Sequence, residues 1–382
     1  MRIALVSDTY APQVNGVTTV LRRIVSVLQA ARHDAVVVAP EYPGQRPDRA
    51  DELRVPSVAF PPYPAIRLSL PAPRRVAHFL GRFNPEVVHV ATEGPLGVMG
   101  RRWALRHGVP LMTSYHTNFP QYCRHYGFAP LEGAVWRWIA RFHKPARVVH
   151  TPSQSVRAEL RAHGLDQVVV WGNGVDTRAF HHQRRDPALR HALGLADDDV
   201  VVLHVGRLAP EKNLDVLTHA YRLAHDALGG RARFLVTGEG PKAAELRRAL
   251  SFATHLPFLP REDLARLYAA SELCVLPSRT ETCGLVALEA MASGIPVIAA
   301  NAGGFRESVI HGCTGLLCAP ADPRAFASAI VELALDGAAR HAMGAAARLA
   351  AVGRDSTIED DELLDQYAAV AGRPHDDLWR AA

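Results

Sequence analysis

The sequence predicts an α/β chain of two Rossmann-like, doubly wound domains facing each other across a cleft. Three observations lead there. Short apolar runs alternate with amphipathic helical patterns along nearly the whole chain. The runs are β-branched and apolar throughout, as expected of parallel strands covered on both faces. The rhythm breaks only after Asn173-Gly174-Val175-Asp176 and then resumes. A length of 382 residues calls for two or three domains at ~150 residues each. The expected boundaries are 1–175, 176–355, and a segment 356–382 that packs back on the first domain.

In the first block the expected strands are Ile3–Ser7, Ala35–Ala39, Val87–Val90, Pro110–Ser114, Val148–His150 and Val168–Val170. Helical patterns fall between them at Val17–Leu28, Leu96–Arg106, Leu131–Phe142 and Ser153–His163, the last opened by an N-cap serine. The proline-rich stretch Pro40–Pro73 has little periodicity and reads as an irregular insertion. The polar stretch Thr177–Asp199 shows no clear element. A second series follows, with strands at Val200–Val205, Phe234–Thr237, His255–Phe258, Leu273–Leu276, Pro296–Ala299 and Gly315–Cys318. Alanine-rich helices run from Pro323 to about Ala351. Such sheets bind ligands beyond the carboxyl ends of their strands.

Composition narrows the class. Hydrophobic residues make up 48% and charged residues 21%, far from the signature of disorder. The longest charge-poor stretch, Thr282 to Phe305, is broken by Glu289, Gly294 and Pro296, so no membrane span is expected. Between Arg2 and Asp8 there is too little apolar chain for a secretion signal. Five scattered cysteines without a CxxC pair argue against a disulfide framework and a structural zinc site, and fit a reducing, cytoplasmic location. Residues 1–175 carry 21 Lys+Arg against 11 Asp+Glu, and residues 176–382 carry 22 against 27. A basic half (net +10) joined to an acidic half (net −5) hints at an anionic surface on one side, such as the inner membrane. Nucleic acid is not expected, because no basic tail or recognition motif accompanies the arginines.

The most specific motif is Arg279-Thr280-Glu281-Thr282-Cys283-Gly284-Leu285, which leaves the strand Leu273–Leu276 and enters a helix near Thr282 or Cys283. A helix start there presents free N–H groups to an anion. Glu281 and Glu289 stand eight residues apart, a helical rise of ~12 Å. That exceeds the ~5–9.5 Å of a glycosidase carboxylate pair, so each needs its own partner. Glu289 sits among Leu285, Val286, Ala287, Leu288, Ala290 and Met291, where an unpaired carboxylate is costly. Gly206-Arg207-Leu208 with Glu211-Lys212-Asn213 puts two cations on a strand-to-helix loop, suited to a diphosphate. Gly238-Glu239-Gly240-Pro241-Lys242-Ala243 is a weak match to the dinucleotide fingerprint. In the first block, Asn15-Gly16 opens a helix after the first strand, and His116 leaves the strand Pro110–Ser114. The acidic runs Asp197–Asp199 and Glu359–Glu362 read as solvated ends of elements, and no metal site is expected.

Taken together, these motifs resemble the retaining family 4 glycosyltransferases of GT-B fold. The flavour is similar to the bacterial GDP-mannose-dependent α-mannosyltransferases and the sulfoquinovosyl-diacylglycerol synthases. The resemblance implies Arg207 and Lys212 on the donor diphosphate, Glu281 on the donor-sugar hydroxyls and His116 beside the reacting sugar. It implies donor binding by Asn15, Gly16, Gly206, Gly238, Cys283, Gly284, Leu285 and Glu289, the last on the ribose. The family often has an aromatic residue where Cys283 stands. The implied partners are a nucleotide-diphosphate sugar, a lipid or glycan acceptor and an anionic membrane surface, with no cofactor. The implied reaction is hexosyl transfer, with mannose from GDP-mannose as the first choice and a UDP-sugar as the second. A nicotinamide oxidoreductase, resting on the glycine motif alone, and a nucleotide-responsive binding protein are the readings from other classes.

Overall fold

The computed structural model describes residues 1–13, 15–44, 51–60, 63–125, 128–172 and 174–373. Val14, Asn173 of the junction above, parts of the Pro40–Pro73 stretch and the residues after 373 lie outside the described residues. The chain forms two compact units. The first comprises Met1–Pro120, Pro130–Gly172 and the chain from Glu359; the second comprises Gln121–Ala129 and Asn173–Ile358.

In the first unit the strands are β1 (Arg2–Val6), β2 (Asp34–Pro40), β3 (Glu52–Val55), β4 (Ser57–Phe60), β5 (Tyr63–Ser69), β6 (Val87–Val90), β7 (Leu111–Ser114), β8 (Val148–Thr151) and β9 (Val168–Val170). They form a seven-stranded sheet of order β3-β2-β1-β6-β7-β8-β9 and a separate β4-β5 hairpin. All pairings in the large sheet are parallel. Both faces of its strands are apolar for a visible reason. Ala4, Val6, Val36, Val38, Val88 and Val90 join one buried cluster, while the alternate residues Ile3, Leu5, Val37, Ala39 and Val87 join another. The second cluster is closed by Leu21, Ile24 and Leu28 of the helix Gly16–Ala30 and by Leu363, Tyr367 and Val370 of the helix Asp360–Ala371.

Polar contacts fix that last helix to the same sheet. His89 on β6 bonds the Tyr367 hydroxyl at 2.6 Å through Nδ1 and Ser114 Oγ at 2.7 Å through Nε2. His150 on β8 bonds Gln366. Arg23 pairs with Glu359 and Asp360, so part of the acidic run 359–362 is ion-paired rather than merely solvated.

The Pro40–Pro73 stretch departs from the expectation of irregular chain. It supplies edge strand β3 and the β4-β5 hairpin. Leu53 and Val55 are buried, and Arg54 between them is buried too, its guanidinium 5.4 Å from the Tyr10 ring and bonded to Ala11 O at 2.9 Å. A buried arginine interrupts the apolar pattern by which a strand is recognised.

The second unit has β10 (Val200–Val205), β11 (Ala232–Thr237), β12 (Thr254–Leu256), β13 (Leu273–Leu276), β14 (Val297–Ala300) and β15 (Gly315–Cys318). Their order, β12-β11-β10-β13-β14-β15, places the strand-order reversal between β10 and β13. Ligands of such sheets bind at that reversal. Here too the polar stretch holds structure that was not expected: a 3-10 turn at His182–Arg184 and a helix at Pro187–Ala192. The signal was present in Asp186-Pro187, an N-cap followed by a proline at the first helical position, with Asp186 accepting from Ala188 N at 2.8 Å. Asp199 accepts from Ala196 N at 2.8 Å and pairs with Arg233 at 3.2 Å, which accounts for one acid of the run 197–199.

Candidate active site

In the second unit the loops after β10 and β13 meet. Leu208 N donates to Glu239 O at 2.8 Å and Lys242 N to Leu208 O at 2.9 Å, so the β11 loop lies directly against the β10 loop. A Cβ on Gly238 would stand 1.9 Å from Gly206 O, and one on Gly240 would stand 2.3 Å from Leu208 O. This close backbone approach explains both glycines without a dinucleotide. The fingerprint reading, and the oxidoreductase that rested on it, lose their support.

The 3-10 turn Pro210–Lys212 then presents the cations. Arg207 forms an ion pair with Glu211, four residues on. Lys212 forms an ion pair with Glu281 from the β13 loop. The first is a local pair four residues apart, whereas the second joins residues 69 apart. Asn213, in the left-handed region at φ 57°, locks the turn by donating from Nδ2 to Pro277 O at 3.0 Å and Pro320 O at 2.7 Å.

The helix after β13 begins at Leu285, later than Thr282 or Cys283 as expected, and runs to Ala292. Gly284 is its N-cap at φ 78°, a conformation that favours glycine, and it brings no capping side chain of its own. A Cβ on Gly284 would stand 2.8 Å from the buried Phe305 ring. Gly304 N donates to Glu281 O at 2.8 Å, fixing the approach to the helix. Cys283 lies half-buried at that approach.

The two glutamates differ electrostatically. Burial opposes ionisation of Glu281, but the Lys212 ammonium, with hydrogen bonds from Lys212 and Ser278, outweighs it and holds the carboxyl below its ordinary range. Burial pushes Glu289 up to about 7, only partly offset by Arg261 and the Tyr268 hydroxyl; that hydroxyl stands 3.4 Å from Oε2. With its folded value raised, Glu289 contributes stability that is fully present below its ordinary value of 4.5 and is lost as pH rises through about 7. A ligand hydroxyl that donates to the ionised carboxylate reverses this. Nucleoside diphosphate affinity should therefore rise by about tenfold between pH 6 and 8, relative to Glu289→Gln titrated in parallel. A calorimetric series in which wild type and variant track each other would remove Glu289 from the nucleoside contact.

In the first unit, Asn15 caps the helix Gly16–Ala30, accepting from Thr18 N at 2.9 Å and donating to Thr9 Oγ1 at 2.9 Å. Its amide is thus committed locally, on the helix start and on Thr9. His116 follows β7, and burial with the neighbouring His150 and His143 lowers it to about 4. Near neutral pH it is an uncharged imidazole, a hydrogen-bonding group rather than a cation. The structure thus joins Arg207, Lys212, Glu281, Gly284 and Leu285 at one sheet reversal, with Gly206 and Gly238 packed beside them. Glu289 lies further along the helix, and Asn15, Gly16 and His116 belong to the first unit. Sequence reasoning missed Glu211, Ser278 and Tyr268, of which only Glu211, four residues after Arg207, had a local signal.

Two parallel sheets, with paired cations and a glycine-led helix start at the strand reversal of the second, are the geometry of an α/β protein that binds its ligand at the carboxyl ends of its strands. The model described as Glycosyltransferase Family 4 matches residues 14–179, and that described as Glycosyl transferases group 1 matches residues 186–350. The chain belongs to glycosyltransferase family 4. It is 35% identical over 385 residues to a GDP-mannose-dependent alpha-mannosyltransferase of Mycobacterium tuberculosis, covering 98% of both chains. It is 32% identical over 326 residues to a sulfoquinovosyl transferase of Arabidopsis thaliana, covering 82% of this chain and 63% of that one. Among solved structures, Anabaena HepE in complex with UDP-glucose matches with a TM-score of 0.77 at 21% identity, over 97% of this chain and all of that one.

Proposed function

We propose that the chain is a retaining α-mannosyltransferase that moves mannose from GDP-mannose to a hydroxyl of a membrane glycolipid or diacylglycerol. The observation that carries the transfer chemistry is the convergence of Arg207, Lys212 and the glycine-led start of the helix Leu285–Ala292 at the β10/β13 reversal. Breaking the bond between the anomeric carbon and the diphosphate leaves an electron pair on the leaving oxygen. Preorganised cations and N–H groups stabilise that charge. The acceptor oxygen bonds to the anomeric carbon on the face the diphosphate leaves, and its proton passes to the departing phosphate oxygen. Glu281, held ionised by Lys212, accepts from sugar hydroxyls and orients the ring, while Glu289 takes the ribose. Neutral His116 offers a hydrogen bond beside the sugar. The base and sugar rest on the full-length likeness to GDP-mannose-dependent relatives. UDP-glucose in a solved relative keeps a UDP-sugar as the second reading.

Turnover of GDP-mannose into an α-linked product, read by NMR and surviving EDTA, is the expected result. Thermal shifts with GDP, UDP and ADP should be largest for GDP. A β-linked product, loss of activity on chelation with rescue by manganese, or a shift with UDP alone would each overturn the corresponding part of the reading.

The membrane reading rests on the β4-β5 hairpin and the helix Pro73–Phe83. Among the described residues no helix is long and apolar enough to cross a membrane. Val58 and Leu68 face each other across the hairpin and are 46% and 39% exposed, with Leu70 beside them at 43%. The helix buries Val76 and Leu80 and leaves Arg74 and Arg75 exposed at its start. What precedes it is strand β5, and Arg67 on that strand is engaged with Ser57 O at 2.6 Å. An apolar patch flanked by two arginines suits an anionic leaflet, at ~1 kcal/mol per basic residue. Sedimentation with anionic vesicles should fall with salt and with Arg74→Glu/Arg75→Glu. Equal recovery in the supernatant with neutral and anionic vesicles at low salt would remove the membrane and favour a soluble acceptor.

A further inference from the structure

We infer that Glu211 is a positioning residue for the transfer: from a buried site it fixes the Arg207 guanidinium for the donor diphosphate. The inference rests on the diphosphate role proposed for Arg207. Glu211 lies in the 3-10 turn Pro210–Lys212, with its side chain wholly buried, while that of Arg207 is 31% exposed. A buried carboxylate is a poor way to gain stability, since an apolar side chain of similar volume would serve as well or better. What it does supply is direction. Arginine is a long, flexible side chain with a planar fork of donors, and a fixed anion on one nitrogen sets the plane in which the others point. A guanidinium ordered before the donor arrives needs no reorganisation when charge develops on the leaving oxygen.

The anchor is itself held. Ser278 Oγ and Thr280 Oγ1 both donate to Glu211 O at 3.3 Å, so the backbone of Glu211 is tied to the β13 loop that carries Glu281. Asn213, two residues on, is bonded to Pro277 O of the same loop. Glu211 is therefore the point where the cation loop, the sugar-binding loop and the Arg207 side chain are brought into one register. A residue serving only the stability of the turn would need the backbone contacts but not the buried charge aimed at Arg207.

A double-mutant cycle separates positioning from mere structure. Glu211→Gln keeps the shape of the side chain and removes its charge. It should lower kcat by roughly 10–100-fold, the scale of an ~1 Å misplacement. The calorimetric Kd for GDP should not weaken, since an anion beside the phosphates is removed at the same time. In an Arg207→Ala background the same substitution should change kcat by less than about twofold, because residues acting as a unit are non-additive. Glu211→Asp, which retains the charge but withdraws it from Arg207, provides the same cycle if the glutamine variant fails to fold. An equal fold-loss of kcat in both backgrounds would overturn the positioning role while leaving Arg207 where it is. Near-full turnover of Arg207→Ala alone would instead remove the diphosphate reading, and the inference with it.

Discussion

Lys212→Ala and Arg207→Ala should each lower turnover by roughly 10²–10³, the range for losing one preorganised group that stabilises a leaving oxygen. The ion pairs make the two losses unequal. Arg207 is paired with Glu211, whose removal from solvent is complete, and Lys212 is paired with Glu281. Without Lys212, the Glu281 carboxylate stands unneutralised beside the incoming diphosphate and repels it. The lysine variant should therefore be the poorer enzyme and should also bind GDP more weakly. Lys212→Ala/Glu281→Gln should recover GDP binding while remaining inactive. Lys212→Ala should change folding little, since the loop is held by backbone contacts and by Asn213, whereas Arg207→Ala leaves the buried Glu211 carboxylate unpaired and should also lower stability. Steady-state kinetics and calorimetry on the four proteins decide it. Near-full activity in either single variant would refute the diphosphate assignment.

Glu281→Gln and Glu289→Gln should fail in different ways. Releasing Lys212 from its glutamate leaves GDP affinity undiminished or somewhat tighter, while the ring of the donor sugar loses its orienting acceptor. Turnover by Glu281→Gln should fall by about 10² or more. Glu289→Gln should weaken GDP itself by about 10-fold or more, as expected for losing a hydrogen bond to a charged group. Its loss should shrink below pH 6, where the wild-type carboxyl, pushed up to about 7, is already protonated. Titration of both variants with GDP and with intact donor is the measurement. Equal losses for both ligands in both variants would end this division of labour.

Much of this was legible without coordinates. Parallel strands buried on both faces are apolar at nearly every position, so Val200–Val205, apolar but for His204, and Val297–Ala300 announce themselves. Glycine at 284 before an apolar helical run marks a helix entry, although the left-handed cap moved the first helical residue to Leu285. Edge strand β3, with a buried arginine between two apolar residues, and the short helix Pro187–Ala192 escaped a reading that relies on apolar periodicity.

The sequence by itself determined the two αβ blocks, the strand-end loops proposed to carry function and the residue types on them. Strand period and strand-to-helix punctuation are local properties of a chain. Only the tertiary structure decided which carboxylate each cation faces. Lys212 and Glu281 reach one another because β10 and β13 are neighbours in the sheet while 69 residues separate the pair along the chain. It also decided that the Gly238 and Gly240 positions serve backbone packing rather than a dinucleotide, because the oxygen atoms that exclude a side chain there belong to a loop from another strand. Charge pairing and close approach are set by distance in space, and strand order supplies that distance.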